Sequence, residues 1–168
     1  MTFNALRPIA SGLTLCGLFA IAASPVSARY INHRSQPDYA TCAIELLDDG
    51  INAEAAAAAC ATAYEPRDLS ACVSRIEDNT AIAAEDALDS CREVRRPLEL
   101  ASCTTRIDAD SNGAVPMMVL DRCRRSLLPI EFANCTIALG DNIPLGVEVA
   151  MDTCIDADDR VRDIFPTP

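Results

Sequence analysis

Eight of the nine cysteines fall into four pairs, Cys42/Cys60, Cys72/Cys91, Cys103/Cys123 and Cys135/Cys154, and the pairs recur about every thirty-one residues. A fixed period of this kind marks stacked repeat units, each a supersecondary element that cannot bury its apolar face alone. Architecture is therefore constrained before any other residue is weighed.

Aligned on the first cysteine of each pair, the units open with Pro37, Pro66, Pro97 and Pro129, five or six residues ahead of Cys42, Cys72, Cys103 and Cys135. Proline is tolerated at the first helical positions, where its missing N–H removes no bond, so each predicts a helix start. Leu69, Cys72, Val73 and Ile76, then Leu100, Cys103 and Ile107, then Phe132, Cys135 and Leu139 keep spacings of three, four and seven, which share one helical face. Ahead of each second cysteine, Ala56 and Ala57, Ala87 and Leu88, Val119 and Leu120, and Ala150 and Met151 predict a second helix with one apolar face. Between the two lie polar stretches: Asp48-Asp49-Gly50, Asp78-Asn79-Thr80, Asp108 to Gly113, and Gly140-Asp141-Asn142. Such residues accept a left-handed backbone and cap the next helix, so they predict hairpin tips. The expected fold class is all-α: four disulfide-tied antiparallel helical hairpins over residues 37–160, stacked as a short α-solenoid or bundle of eight helices of roughly 10 to 15 residues.

A first cysteine near its helix start and a second near its helix end would meet at the open mouth of each hairpin. That predicts Cys42–Cys60, Cys72–Cys91, Cys103–Cys123 and Cys135–Cys154. A competing scheme joins Cys60 to Cys72, Cys91 to Cys103 and Cys123 to Cys135, intervals of twelve residues each, and strands Cys42 and Cys154. The first scheme is favoured because it uses every cysteine, but spacing alone does not decide connectivity. Metal binding is the alternative use of the sulfur. No Cys-x-x-Cys occurs, and the one histidine, His33, falls in a predicted flexible N-terminal segment, 29–36. Zinc ligands come in close pairs, so no metal or cofactor is expected.

The first 28 residues read as an export signal: Arg7, then the apolar Ile9 to Ala23, then Val26-Ser27-Ala28 before a cleavage point. The apolar stretch is shorter than the ~20 residues of a spanning helix and is broken by Ser11, Gly12 and Pro25, so no stable membrane span is expected after cleavage. The ninth cysteine, Cys16, leaves with this segment, and Leu15 before it argues against lipid attachment. The expected location is extracytoplasmic: periplasm, thylakoid lumen or extracellular space. Lysine is absent and the full chain carries a net charge of −11, which becomes −12 once Arg7 is removed. A chain this acidic has no electrostatic attraction for nucleic acid. Its scarce aromatics and many alanines predict a thin core that depends on its covalent ties.

Asp108, Asp110 and Asn112, followed by Gly113, match the opening of a calcium loop, but Val119 stands where the bidentate acid belongs, so a plain hairpin tip is favoured. Arginines gather behind two second-helix cysteines, as Arg92, Arg95 and Arg96 and as Arg122, Arg124 and Arg125. Cations near helix C-termini complement exposed carbonyls. The sharper reading is a basic strip that binds carboxylates of a partner. No catalytic residues are expected: Ser74, Ser90 and Ser126 have no histidine available as base, the motif G-x-S-x-G is absent, and no Gly-rich phosphate loop exists.

The wording Cys91-Arg92-Glu-Val-Arg-Arg96-Pro97-Leu-Glu-Leu-Ala and Cys123-Arg-Arg-Ser-Leu-Leu-Pro129 resembles a group of exported, uncharacterised cyanobacterial proteins built from the same cysteine repeat. The resemblance spans Pro37 to about Asp156 and implies a periplasmic or thylakoid-lumen setting, with no activity or site residues. The expected function is a noncatalytic protein-binding or adaptor module facing another envelope protein, with a structural or stress-protective envelope component as the alternative. The tail, 161–168, carries Ile164-Phe165-Pro166, an apolar end that would dock internally or on a partner.

Overall fold

The computed structural model describes residues 35–159. The expected signal (1–28), the N-terminal segment through residue 34 with its His33, and the tail (161–168) lie outside them. Among the described residues there are eight α-helices and no strand: α1 (Gln36–Asp48), α2 (Ala53–Thr62), α3 (Pro66–Asn79), α4 (Ala84–Glu93), α5 (Pro97–Asp110), α6 (Pro116–Arg125), α7 (Pro129–Asn142) and α8 (Val147–Asp159). None of them is long and apolar enough to cross a membrane.

The helices pair into four hairpins, each closed by its own cystine. The bonds are Cys42–Cys60, Cys72–Cys91, Cys103–Cys123 and Cys135–Cys154, with Cα separations between 5.9 and 6.2 Å. That is the within-hairpin scheme. Four such bonds point to an oxidising, exported environment, since cytoplasmic thiols are kept reduced. The cysteines do not sit at the hairpin mouth, however. Cys42, Cys72, Cys103 and Cys135 fall in the middle of the first helices, and Cys60, Cys91, Cys123 and Cys154 fall in the second helices that cross there. The second helices α2, α4 and α6 have only 10 residues, so the last turn of each meets the centre of its longer neighbour.

Packing follows the repeat. The first helices α1, α3, α5 and α7 stack in series, each against the next, and every second helix lies against its own first helix. The second helices touch one another far less, and α2 and α4 hardly meet. Polar groups tie the first-helix layer between units. Ser70 Oγ donates to Glu45 Oε2 at 2.5 Å and Ser74 Oγ to Asp49 Oδ2 at 2.7 Å, joining α3 to α1. Arg106 donates to Asn134 at 2.7 Å, joining α5 to α7.

The expected core faces are buried except at three residues, each for a physical cause. Ala57 is exposed, and Ala56, Ala59 and Cys60 form the inward face of α2. A helix that is alanine all round offers no contrast from which to read its inward face. Cys135 and Leu139 are only half-buried, α7 being the last first helix of the stack with no further hairpin against it among the described residues. Capping also departs from expectation: α2 is capped by Asn52, two residues past the expected tip, which accepts from Ala55 N at 2.9 Å, whereas Ala83 and Val115 stand at the N-caps of α4 and α6. Left-handed backbone occurs at Gly50, Asn112 and Gly113, in the first and third tips. At the other end, Ser35 forms a capping box with Asp38 at the start of α1.

Thr104 and Thr136 occupy one repeat position, directly after the first-helix cysteine, where α3 carries Val73. Both are buried and neither hydroxyl has a hydrogen-bond partner. Leaving a buried hydroxyl unpaired costs about 1–3 kcal/mol, whereas valine has nearly the same shape. Thr104→Val and Thr136→Val are therefore expected each to raise stability by about 1 kcal/mol, read as a higher urea midpoint with an unchanged slope.

Candidate functional site

An open groove of about 1210 Å³ lies where α2 and α4 fail to meet. Its floor is apolar and built from small or buried side chains: Ala59, Leu69, Cys91, Val94 and Pro97. Its rim carries Tyr64, Arg92, Arg95 and the acids Glu65, Asp89 and Glu93. Among the described residues no histidine, serine or free thiol lines it. Tyr64 stands 74% exposed on the loop between the first two hairpins.

The repeat explains why the groove opens here. Between the second and third hairpins the same region is clamped twice. Arg124, one residue after Cys123, pairs back to Glu93, two residues after Cys91. Arg96, just before Pro97, donates to the Leu127 carbonyl at 2.7 Å. Shifted back one unit, the first clamp becomes Arg92 and Thr62, and the second becomes Glu65 and the carbonyl of Arg95. A threonine carries no charge for the guanidinium, and Thr62 Oγ1 is turned to the Ala58 carbonyl at 2.9 Å. A carboxylate cannot donate to a carbonyl. Both closures are thus absent between the first two hairpins. The alanine face of α2 adds too little side-chain volume to fill the gap.

The six arginines expected as one basic strip divide into two groups. Arg96, Arg122, Arg124 and Arg125 are engaged within the fold. Arg96 pairs with Glu99 at 3.0 Å, Arg122 with Asp152 of α8 at 2.6 Å, Arg124 with Asp121 at 2.9 Å as well as with Glu93, and Arg125 with Asp121 at 2.5 Å. These bonds link α4, α6 and α8 across three hairpins. Hydrogen bonds to Asp121 and then Glu93 raise the pKa of Arg124, and the same Arg124 contact holds Asp121 below the ordinary carboxylate range against an opposing effect of burial. Arg92 and Arg95, by contrast, are exposed and make no ion pair among the described residues. Asp89 stands three residues before Arg92 as Asp121 stands before Arg124, yet no ion pair joins Asp89 to Arg92.

The calcium-like tip does not converge. Asp108 and Asp110 both lie in the last turn of α5, and two positions along a helix place side chains about 200° apart. Asp108 Oδ2 lies toward Gly113, 3.9 Å from where a Cβ there would stand, while Asp110 Oδ2 lies toward Gly140 of α7. Asn112 takes a left-handed φ of 54° in the turn itself. Among the described residues no group of three or more metal-ligating side chains gathers.

Asp108 is 5% exposed, its Oδ1 has no partner, and burial pushes its pKa up. An acid whose folded pKa is raised contributes stability that is present below its unfolded value and is lost as pH rises through the folded value. Asp108→Asn is therefore expected to be more stable than the parent at pH 7 and to match it near pH 3, as urea titrations at the two pH values would show. An equal gap at both would mean that charge at this position has no part in it.

Tyr64, Leu69 and the α2 contribution to the groove were not foreseen from the residues. One signal was available: aligning the units places Thr62 against Glu93 and Arg92 against Arg124. Comparison with family models, with curated proteins and with solved structures found no match.

Proposed function

We propose that the chain is a noncatalytic protein-binding module working outside the cytoplasm, in a periplasm or thylakoid lumen, where it docks another envelope protein. One observation carries this reading: the second-helix layer is clamped shut between later hairpins and open between the first two, with an apolar floor and two arginines that make no ion pair among the described residues. A groove of that size accommodates side chains of a partner segment. Its floor of alanine, leucine, valine, proline and disulfide sulfur suits contact with apolar side chains of a partner.

The resemblance to exported cyanobacterial cysteine-repeat proteins supports the compartment and leaves the partner unnamed. A photo-crosslinking residue at position 64, introduced into the exported protein in its native envelope, tests the proposal. A discrete adduct with one other envelope protein is the expected result. Adducts formed only between copies of this chain would overturn it in favour of a structural, self-assembling envelope component.

A further inference from the structure

We propose that the groove between the first two hairpins selects an acidic peptide segment of the partner protein, whose carboxylate takes on Arg92 the place that Glu93 takes on Arg124. The inference rests on the binding-module reading and adds to it a site and a chemistry.

The fold supplies its own template for the contact. At the second interface a guanidinium one residue past the cystine receives a carboxylate from the preceding hairpin, and the helices close. At the first interface the same guanidinium is present, the carboxylate is replaced by Thr62, and the helices stay apart. Arg95, on the loop after α4, gives the rim a second cation. A planar guanidinium matches a carboxylate through paired N–H donors, a fit that a glutamate or aspartate of the partner segment supplies. Ala59, Leu69, Val94 and Pro97 below it receive apolar side chains flanking that acid. Exposed ion pairs are individually weak, so the floor holds the segment and the arginines choose it. Asp89 on the same rim repels a carboxylate, while Glu93 there is held by Arg124, which makes selection depend on both arginines together.

The test uses the oxidised, signal-cleaved protein and a fluorescein-labelled peptide of alternating leucine and glutamate, read by anisotropy. The peptide is expected to bind, and its leucine/glutamine counterpart to bind about tenfold more weakly, as two exposed charge contacts of about threefold each combine. Arg92→Gln with Arg95→Gln is expected to weaken the glutamate peptide by about the same tenfold, while Arg75→Gln, on an exposed site of α3, leaves it unchanged. Thr62→Glu is the decisive variant. It restores the carboxylate of the template on an exposed position, keeps both arginines, and is expected to occupy Arg92 and expel the peptide while the circular dichroism melt holds or rises. Asp89→Asn is expected to tighten binding.

Equal binding of the two peptides, indifference to Thr62→Glu, or no binding at all would overturn the proposal. So would octanoate that binds in place of the peptide with the same dependence on Arg92, since the occupant would then be a small fatty carboxylate. If crosslinking from position 64 still captures an envelope protein while these results fail, the binding module stands and only its acidic selectivity falls.

Discussion

Reduction of the four cystines in native buffer is expected to abolish most of the helical signal. Each bond closes a loop of 18 to 20 residues, which on the chain-entropy account contributes ~3 kcal/mol. A domain is stabilised by only about 5–15 kcal/mol in all, so losing four such constraints exceeds what the remaining core supplies. The core itself is thin: α2 buries only Ala56, Ala59 and Cys60, and isolated helices of 10 residues are marginal in water. Loss should not be simultaneous. Cys42, Cys72, Cys103 and Cys123 are fully buried, whereas Cys135 is half-buried. A phosphine reductant is expected to open Cys135–Cys154 first, detected by mass after alkylation, with the other three following as a group. A reduced protein that keeps its full 222 nm ellipticity would show that side-chain packing alone holds the hairpins.

What could be read from the chain was whatever recurs. The prolines at 66, 97 and 129 and the apolar residues three and four before Cys91, Cys123 and Cys154 repeat in register, so helix starts and inward faces followed from comparison of the units. Ala57 misled because polyalanine has no periodic contrast. The depth of the cystines was hidden by helix length: the short second helices bring their last turn to the middle of the first ones, a tertiary relation no local pattern encodes. Arg92 and Arg124 looked alike as sequence, each following a cysteine. Only the direction of the pairing, from one hairpin back to the one before, shows that Glu93 answers Arg124 and that Thr62 leaves Arg92 without an answer. Departure from the repeat, and not the repeat, marks the candidate site.

Phe132→Ala is expected to destabilise the fourth hairpin by about 3–5 kcal/mol, because large-to-small changes at fully buried aromatics lose the transfer term and leave a cavity. Phe132 is 0% exposed and is the largest of the fully buried side chains. It stands three residues before Cys135, the place held by Leu69 and Leu100 in the two preceding units, so Phe132→Leu returns the repeat residue and should cost only about 1 kcal/mol. The consequence of the alanine variant depends on array physics. Within a stack each unit leans only on its neighbours, and the fourth touches the third through α5–α7 and through Arg122–Asp152. Its loss is therefore local. Amide exchange in α7 and α8 should rise sharply while α1 and α3 stay protected, and the Cys135–Cys154 bond should become the most readily reduced by a wide margin. A uniform rise in exchange across all eight helices would instead show that the hairpins unfold as one cooperative body, and the nearest-neighbour description of the stack would fail.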